Sequence, residues 1–101
     1  MSMVIVVGSV ITTPDTHDEM LGMSLEHCAR SRAEPGCIAH NVHVDCENPA
    51  KLVFVEYWAD IAALKTHFGV PESQAFASAL TTLAAGPPDM KVFAADEVKM
   101  G

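Results

Sequence analysis

The stretch Lys51-Leu52-Val53-Phe54-Val55-Glu56-Tyr57-Trp58 decides the fold. Its β-branched and aromatic residues fit a pleated strand. An antiparallel strand with one wet face alternates apolar and polar side chains. Here Leu52, Phe54 and Trp58 fall on one parity and Val53, Val55 and Tyr57 on the other, with Glu56 the one acid in the run. Both faces of this strand therefore require cover.

Working outward, Glu47-Asn48-Pro49 is a tight turn, and Cys37 to Asp45 is the preceding strand, with Ile38, Val42 and Val44 on one parity. Placing Val44 opposite Leu52 sets Val42 opposite Phe54, His40 opposite Glu56 and Ile38 opposite Trp58. Further upstream stands the turn Glu34-Pro35-Gly36. Before it a helix runs from a Thr16 cap to about Arg32, with Leu21, Leu25 and Cys28 as its apolar spacing and Glu19 completing a capping box. Met3 to Thr12 is the first strand, ended by Pro14. Downstream, Asp60 caps a short helix to Phe68, Val70-Pro71 interrupts it, and a second helical stretch covers about Glu72 to Ala85 with Phe76, Leu80 and Leu83 on one stripe. Gly86-Pro87-Pro88 stops it, and Met90 to Val98 is the last strand. The order β-α-β-β-α-β specifies one α+β domain over residues 1–101: a ferredoxin-like split β-α-β, with a four-stranded antiparallel sheet and helices on one face. The other face remains apolar, and a second copy of the chain is the simplest cover, so a homodimer is expected.

Composition narrows the partners. Six Lys and Arg stand against 13 Asp and Glu, for a net charge of −7. Without a basic cluster to neutralise phosphates, nucleic acid and anionic membrane surfaces are disfavoured. The three cysteines, Cys28, Cys37 and Cys46, read as reduced thiols in a cytoplasmic protein. Met3 to Ile11 is too short for a membrane helix.

Arg32-Ala33-Glu34-Pro35-Gly36-Cys37-Ile38, Asn48-Pro49, Phe54-Val55-Glu56-Tyr57-Trp58-Ala59-Asp60, Ala63-Leu64 and His67-Phe68 occur in that order. This ordered set resembles the antibiotic biosynthesis monooxygenase domain, in its quinol-monooxygenase-like branch. The resemblance implies a ferredoxin-like dimer. It also implies a family containing cofactor-free oxygenases of quinols and polyketide aromatics, haem-degrading enzymes and autoinducer-degrading enzymes. It places His67 at the mouth of the cavity. The haem-degrading branch carries an Asn on the first strand and a His on the helix before the last; this chain offers Ser9 and no His in residues 72–85. Haem is therefore not expected.

Cys37-x-x-His40-x-x-His43-x-x-Cys46 has the residue types of a zinc site. On a strand, positions three apart point to opposite faces, so His40 and His43 diverge, and no stoichiometric zinc, iron or haem is expected in the protein. The candidate catalytic residues are His40, Glu56 and His67: a carboxylate beside an imidazole orients it and raises its basicity. Phe54, Trp58, Phe68 and Phe76 are the candidate walls of a pocket for a flat ligand. With no metal or flavin motif, the expected activity is a cofactor-independent monooxygenase. It would take electrons for dioxygen from a small quinol-like or phenolic aromatic. The alternatives are a non-oxygenase enzyme degrading or isomerising a small oxygenated metabolite, and a non-catalytic small-molecule-binding dimer.

Overall fold

The computed structural model describes residues 2–101. In chain order the elements are β1 (Met3–Ile11), α1 (His17–Ser31), β2 (Cys37–Val44), β3 (Lys51–Trp58), α2 (Ile61–Gly69), α3 (Pro71–Leu83) and β4 (Asp89–Ala95). The strands form one antiparallel sheet in the order β2-β3-β1-β4. Val70 and Pro71 divide α2 from α3, as a proline that cannot continue one helix but suits the first turn of the next should. The last strand ends at Ala95, short of the expected Val98.

The hairpin register holds over most of its length: Val44 pairs with Leu52, Val42 with Phe54 and His40 with Glu56. It fails at the far end. A bulge between Cys37 and Ala39 brings Cys37 opposite Trp58, and Ile38 turns outward, 57% exposed. One extra residue in β2 absorbs the parity of Ile38. Upstream, Gly36 has φ +81°, the region only glycine enters freely. A Cβ there would stand 2.5 Å from the Ala63 Cβ of α2. The turn thus draws α2 down onto the start of β2.

Helix α1 starts at Thr16, but no capping box forms. The Thr16 hydroxyl donates instead to the Leu83 carbonyl at 3.0 Å, tying the start of α1 to the end of α3. The expected Leu21–Leu25–Cys28 face is rotated: the buried residues are Met20, Ser24, His27, Cys28 and Ser31, and Leu25 is 53% exposed. Ser24 and Ser31 are accommodated because each hydroxyl donates to the carbonyl one turn back at 2.7 Å. Asp60 caps α2 as expected, its carboxylate accepting the Ala63 N–H at 2.8 Å. Arg32 is the C-cap of α1, its backbone N–H donating to the Cys28 carbonyl at 3.1 Å, while its side chain reaches β2: Nε donates to the His40 carbonyl at 3.0 Å and Nη2 to Asn41 Oδ1 at 3.2 Å.

Two apolar clusters lie between sheet and helices. Val10, Met20, Cys28, Leu52, Phe54 and Leu80 form one; Val4, Val6, Trp58 and Leu64 form the other. On the opposite sheet face Val7, Ile11, Tyr57 and Phe93 are exposed. Strand β4 is exposed on both faces, with Met90 and Val92 on the helix side.

The backbone at Gly36 yields a direct test. Gly36→Ala combines left-handed strain with a clash against Ala63, expected to cost about 2 kcal/mol or more. In a domain of this size that lowers the thermal midpoint by on the order of 10 °C. Scanning calorimetry of the two proteins measures it, and equal midpoints would contradict the packing of α2 on this turn.

Candidate functional site

Three histidines from three elements meet under the helices. His27 comes from the inward stripe of α1, His40 from the helix-side parity of β2, and His67 from the last turn of α2. All three are buried. His27 lies 5.1 Å from His40 and 5.3 Å from His67, centroid to centroid, and His40 lies 5.4 Å from His67. His27 stacks on Phe76 at 4.0 Å, and His67 packs on Trp58 at 4.7 Å, so the cluster touches both apolar cores.

Buried imidazoles need partners for their nitrogens, and each ring is held differently. His67 Nδ1 lies 2.8 Å from Glu34 Oε1. A carboxylate only accepts, so Nδ1 carries a hydrogen and Nε2 is left with no protein partner among the described residues. His27 Nδ1 lies 2.8 Å from Arg30 Nη2. A guanidinium only donates, so here Nδ1 accepts and Nε2 carries the hydrogen. His40 Nδ1 lies 3.2 Å from Cys28 Sγ. Its Nε2 stands 3.2 Å from Glu56 Oε1, close enough for an ionic contact, yet it makes no hydrogen bond of good geometry among the described residues. Glu56 Oε1 accepts instead from the Trp58 indole at 2.9 Å.

The electrostatics follow from this packing. Burial, then the neighbouring His40, His67 and Arg30, push His27 down to about 3 against a smaller upward pull from Glu56, so it is neutral at ordinary pH. Burial raises the Glu56 carboxyl, but the proximity of His40 and the Trp58 N–H outweigh it and hold the group below its usual range. Burial pushes the Cys28 thiol up to about 11 and raises Cys37 as well.

A cavity of about 400 Å³ opens beside the cluster. Its walls include Phe54, Phe68 and Phe76, with His27, Glu56 and His67 at one end. Of the residues singled out from sequence, Phe54, Phe68, Phe76, Glu56 and His67 meet at this cavity. His40 faces Glu56 as expected, but behind the wall and fully buried. Trp58 is also fully buried, packed with Leu64 rather than lining the cavity. His43 and Cys46 are exposed, so the Cys37–Cys46 pattern does not converge. Sequence reasoning missed His27, Glu34, Arg30 and Ser73, whose buried Oγ at the cavity wall has no partner among the described residues. The signal for His27 was its spacing from Met20 and Ser24, seven and three residues back.

Residues 3–79 match the family model described as antibiotic biosynthesis monooxygenase. The chain belongs to that family. It is 31% identical over 90 residues to an uncharacterized protein of Synechocystis sp., covering 89% of this chain and 61% of that one. The chain thus spans about three-fifths of the length of that relative. Among solved structures, a Mycobacterium tuberculosis protein matches with a TM-score of 0.89 at 24% identity, covering 97% of this chain and 100% of that one. A Caulobacter crescentus protein, named as a candidate antibiotic biosynthesis monooxygenase, matches with a TM-score of 0.87 at 26% identity over 95% of this chain and 92% of that one. No helix among the described residues is long and apolar enough to cross a membrane.

The thiols report on the packing of this site. In native protein at pH 8 a maleimide should modify exposed Cys46 first and leave Cys28 unmodified, because burial both blocks it and keeps it protonated. Mass mapping after a timed quench reads this out; comparable rates at Cys28 and Cys46 would mean that α1 does not shield the cluster.

Proposed function

We propose that this protein is a cofactor-independent monooxygenase that oxidises a small quinol-like or phenolic aromatic with dioxygen. The observation that supports it best is the aromatic-walled cavity ending on two imidazoles of opposite tautomer. Phe54 and Phe76 suit a flat ring. His67 offers a lone pair and His27 an N–H, which are the two groups a phenol needs to lose its proton and remain as an anion. Ser73 Oγ suits a second oxygen of the same ring.

The chemistry balances without a cofactor. His67 Nε2 takes the phenolic proton, and Glu34 favours the resulting imidazolium. The phenolate then supplies electrons to dioxygen. One oxygen atom forms a bond to a ring carbon; the other leaves as water with two hydrogens from the substrate. A quinol thereby becomes a hydroxyquinone, one dioxygen being consumed per turnover. Glu56 lines the polar end of the cavity with His67, and His40 stands behind that wall against Glu56. Exclusion of water by the aromatic walls favours the step, since it removes competing solvation of the oxyanion.

The exposed apolar sheet face supports a homodimer. Tyr57 and Phe93 flank Ile5 and Val7 lies two residues on along β1, so the exposed apolar side chains of this face are neighbours that a second copy would cover.

Oxygen uptake with a panel of quinols, in the presence of chelator, tests the activity. His67→Ala should lower turnover by on the order of 10²-fold or more, and Glu34→Gln by less, since it keeps the imidazole but loosens its orientation. Full activity in His67→Ala would exclude it as the base, and no oxygen uptake with any quinol would count against the oxygenase. Light scattering at micromolar concentration should give about twice the 10.8 kDa chain mass; a clean monomer would remove the dimer.

A further inference from the structure

The proton chemistry above uses one lone pair of a cluster that offers more. One ring nitrogen from each of His27, His40 and His67 lies within 4.8 Å of the other two. The three rings arrive from a helix, a strand and a second helix, so the fold converges them at one point. His40 Nε2 is fully buried and, among the described residues, has no hydrogen bond of good geometry, only the Glu56 carboxylate 3.2 Å away, an unusual state for a polar atom in a packed interior.

We propose that His27, His40 and His67 bind a single divalent transition-metal ion of the kind that imidazoles prefer, such as zinc or cobalt. Three imidazoles, of which His27 and His67 line the cavity, make a ligand set that leaves a position for a small molecule on the cavity side. The outer partners fit. His67 donates Nδ1–H to Glu34, leaving Nε2 for an ion, and a carboxylate behind a ligating imidazole strengthens it. His40 Nδ1 lies 3.2 Å from Cys28 Sγ and its Nε2 3.2 Å from Glu56 Oε1, so an ion at Nε2 requires the ring hydrogen on Nδ1, toward the sulfur. Glu34 and Glu56 place two carboxylates beside the cluster, favouring a double positive charge. Bonds of about 2.0–2.1 Å set tetrahedral neighbours about 3.3 Å apart, so the rings must close by roughly an ångström.

One group opposes the ion. Arg30 donates to His27 Nδ1 and so engages the lone pair that His27 would need to supply. It also brings a positive charge. Arg30 is only partly buried and, among the described residues, its Nε has no partner, so few other bonds hold the guanidinium there. Release of Arg30 frees His27 to coordinate. Arg30 is therefore the residue that sets the affinity, and this gives the proposal a signature that a merely structural histidine cluster lacks. An ion at the cluster and a phenolic proton compete for His67 Nε2, but ion binding is read without any substrate and does not depend on the oxygenase reading.

The test is a cobalt(II) titration of chelator-treated full-length protein, followed by visible absorption. One equivalent should produce the intense bands of a four- or five-coordinate imidazole site, and zinc should abolish them. His27→Ala, His40→Ala and His67→Ala, each checked for folding by circular dichroism, should lose the bands. The double variant His17→Ala/His43→Ala removes exposed imidazoles and should keep them. Arg30→Gln should bind about tenfold more tightly. Wild-type protein that leaves cobalt with its weak aqueous spectrum overturns the proposal, whatever the variants do. So does loss of the bands in His17→Ala/His43→Ala, or weaker binding in Arg30→Gln. Oxygen uptake in chelator, measured separately, fails or succeeds independently of this titration.

Discussion

The register of β2 against β3 is the constraint on which the interior depends. Side chains on a strand alternate with a period of two, so a slip of one residue would send His40 to the outer face and break its pairing with Glu56. The Asp45–Lys51 turn fixes that register. Asp45 Oδ1 accepts the N–H groups of Glu47 and Asn48 at 2.8 and 3.3 Å, and the Lys51 N–H donates to the Asn48 carbonyl at 2.8 Å. Once the turn is set, Leu52, Phe54, Glu56 and Trp58 all face the helices, and the sole carboxylate in β3 lands where an imidazole meets it. The bulge at Ile38 then corrects the parity before the chain reaches the Gly36 turn.

A second consequence follows from placing polar rings among apolar ones. Each imidazole is flanked by an aromatic or another imidazole, and each is oriented by a partner of different chemistry: an arginine, a thiol or a carboxylate. Those partners come from sequence positions 3, 12 and 33 residues away from the rings they hold. The cluster is therefore a property of the assembled fold, and α2 contributes to it only because Gly36 allows close approach. Donor and acceptor faces are fixed before any ligand arrives, which is the condition for preorganised electrostatics at a site.

The strands, the split second helix and the His40–Glu56 pair were legible because they follow from alternation, from Pro71 and from a short hairpin. The family was legible from an ordered set of short pieces. What escaped was the rotation of α1. Its inward stripe contains Ser24, His27 and Ser31, polar residues that a search for apolar spacing passes over. Leu21 and Leu25 offered a competing stripe, yet Leu25 faces solvent. Glu34 was read as part of a turn, and nothing local shows that its carboxylate reaches a helix 33 residues on. Trp58 was assigned to a pocket wall because aromatics often line pockets; burial against Val4, Val6 and Leu64 places it in the core. Parity predicts faces, but long-range partners depend on how helices sit on the sheet.

The central claim is that His67 and His27 are held as opposite tautomers at the end of an aromatic cavity. Nitrogen-15 NMR of histidine side chains at pH 8, assigned through single His→Gln variants, tests it most directly. The account predicts that His67 carries its hydrogen on Nδ1 with a bare Nε2, and that His27 carries its hydrogen on Nε2 with a bare Nδ1. A His67 signal with hydrogen on Nε2 and a bare Nδ1, or the same tautomer at both rings, would contradict it.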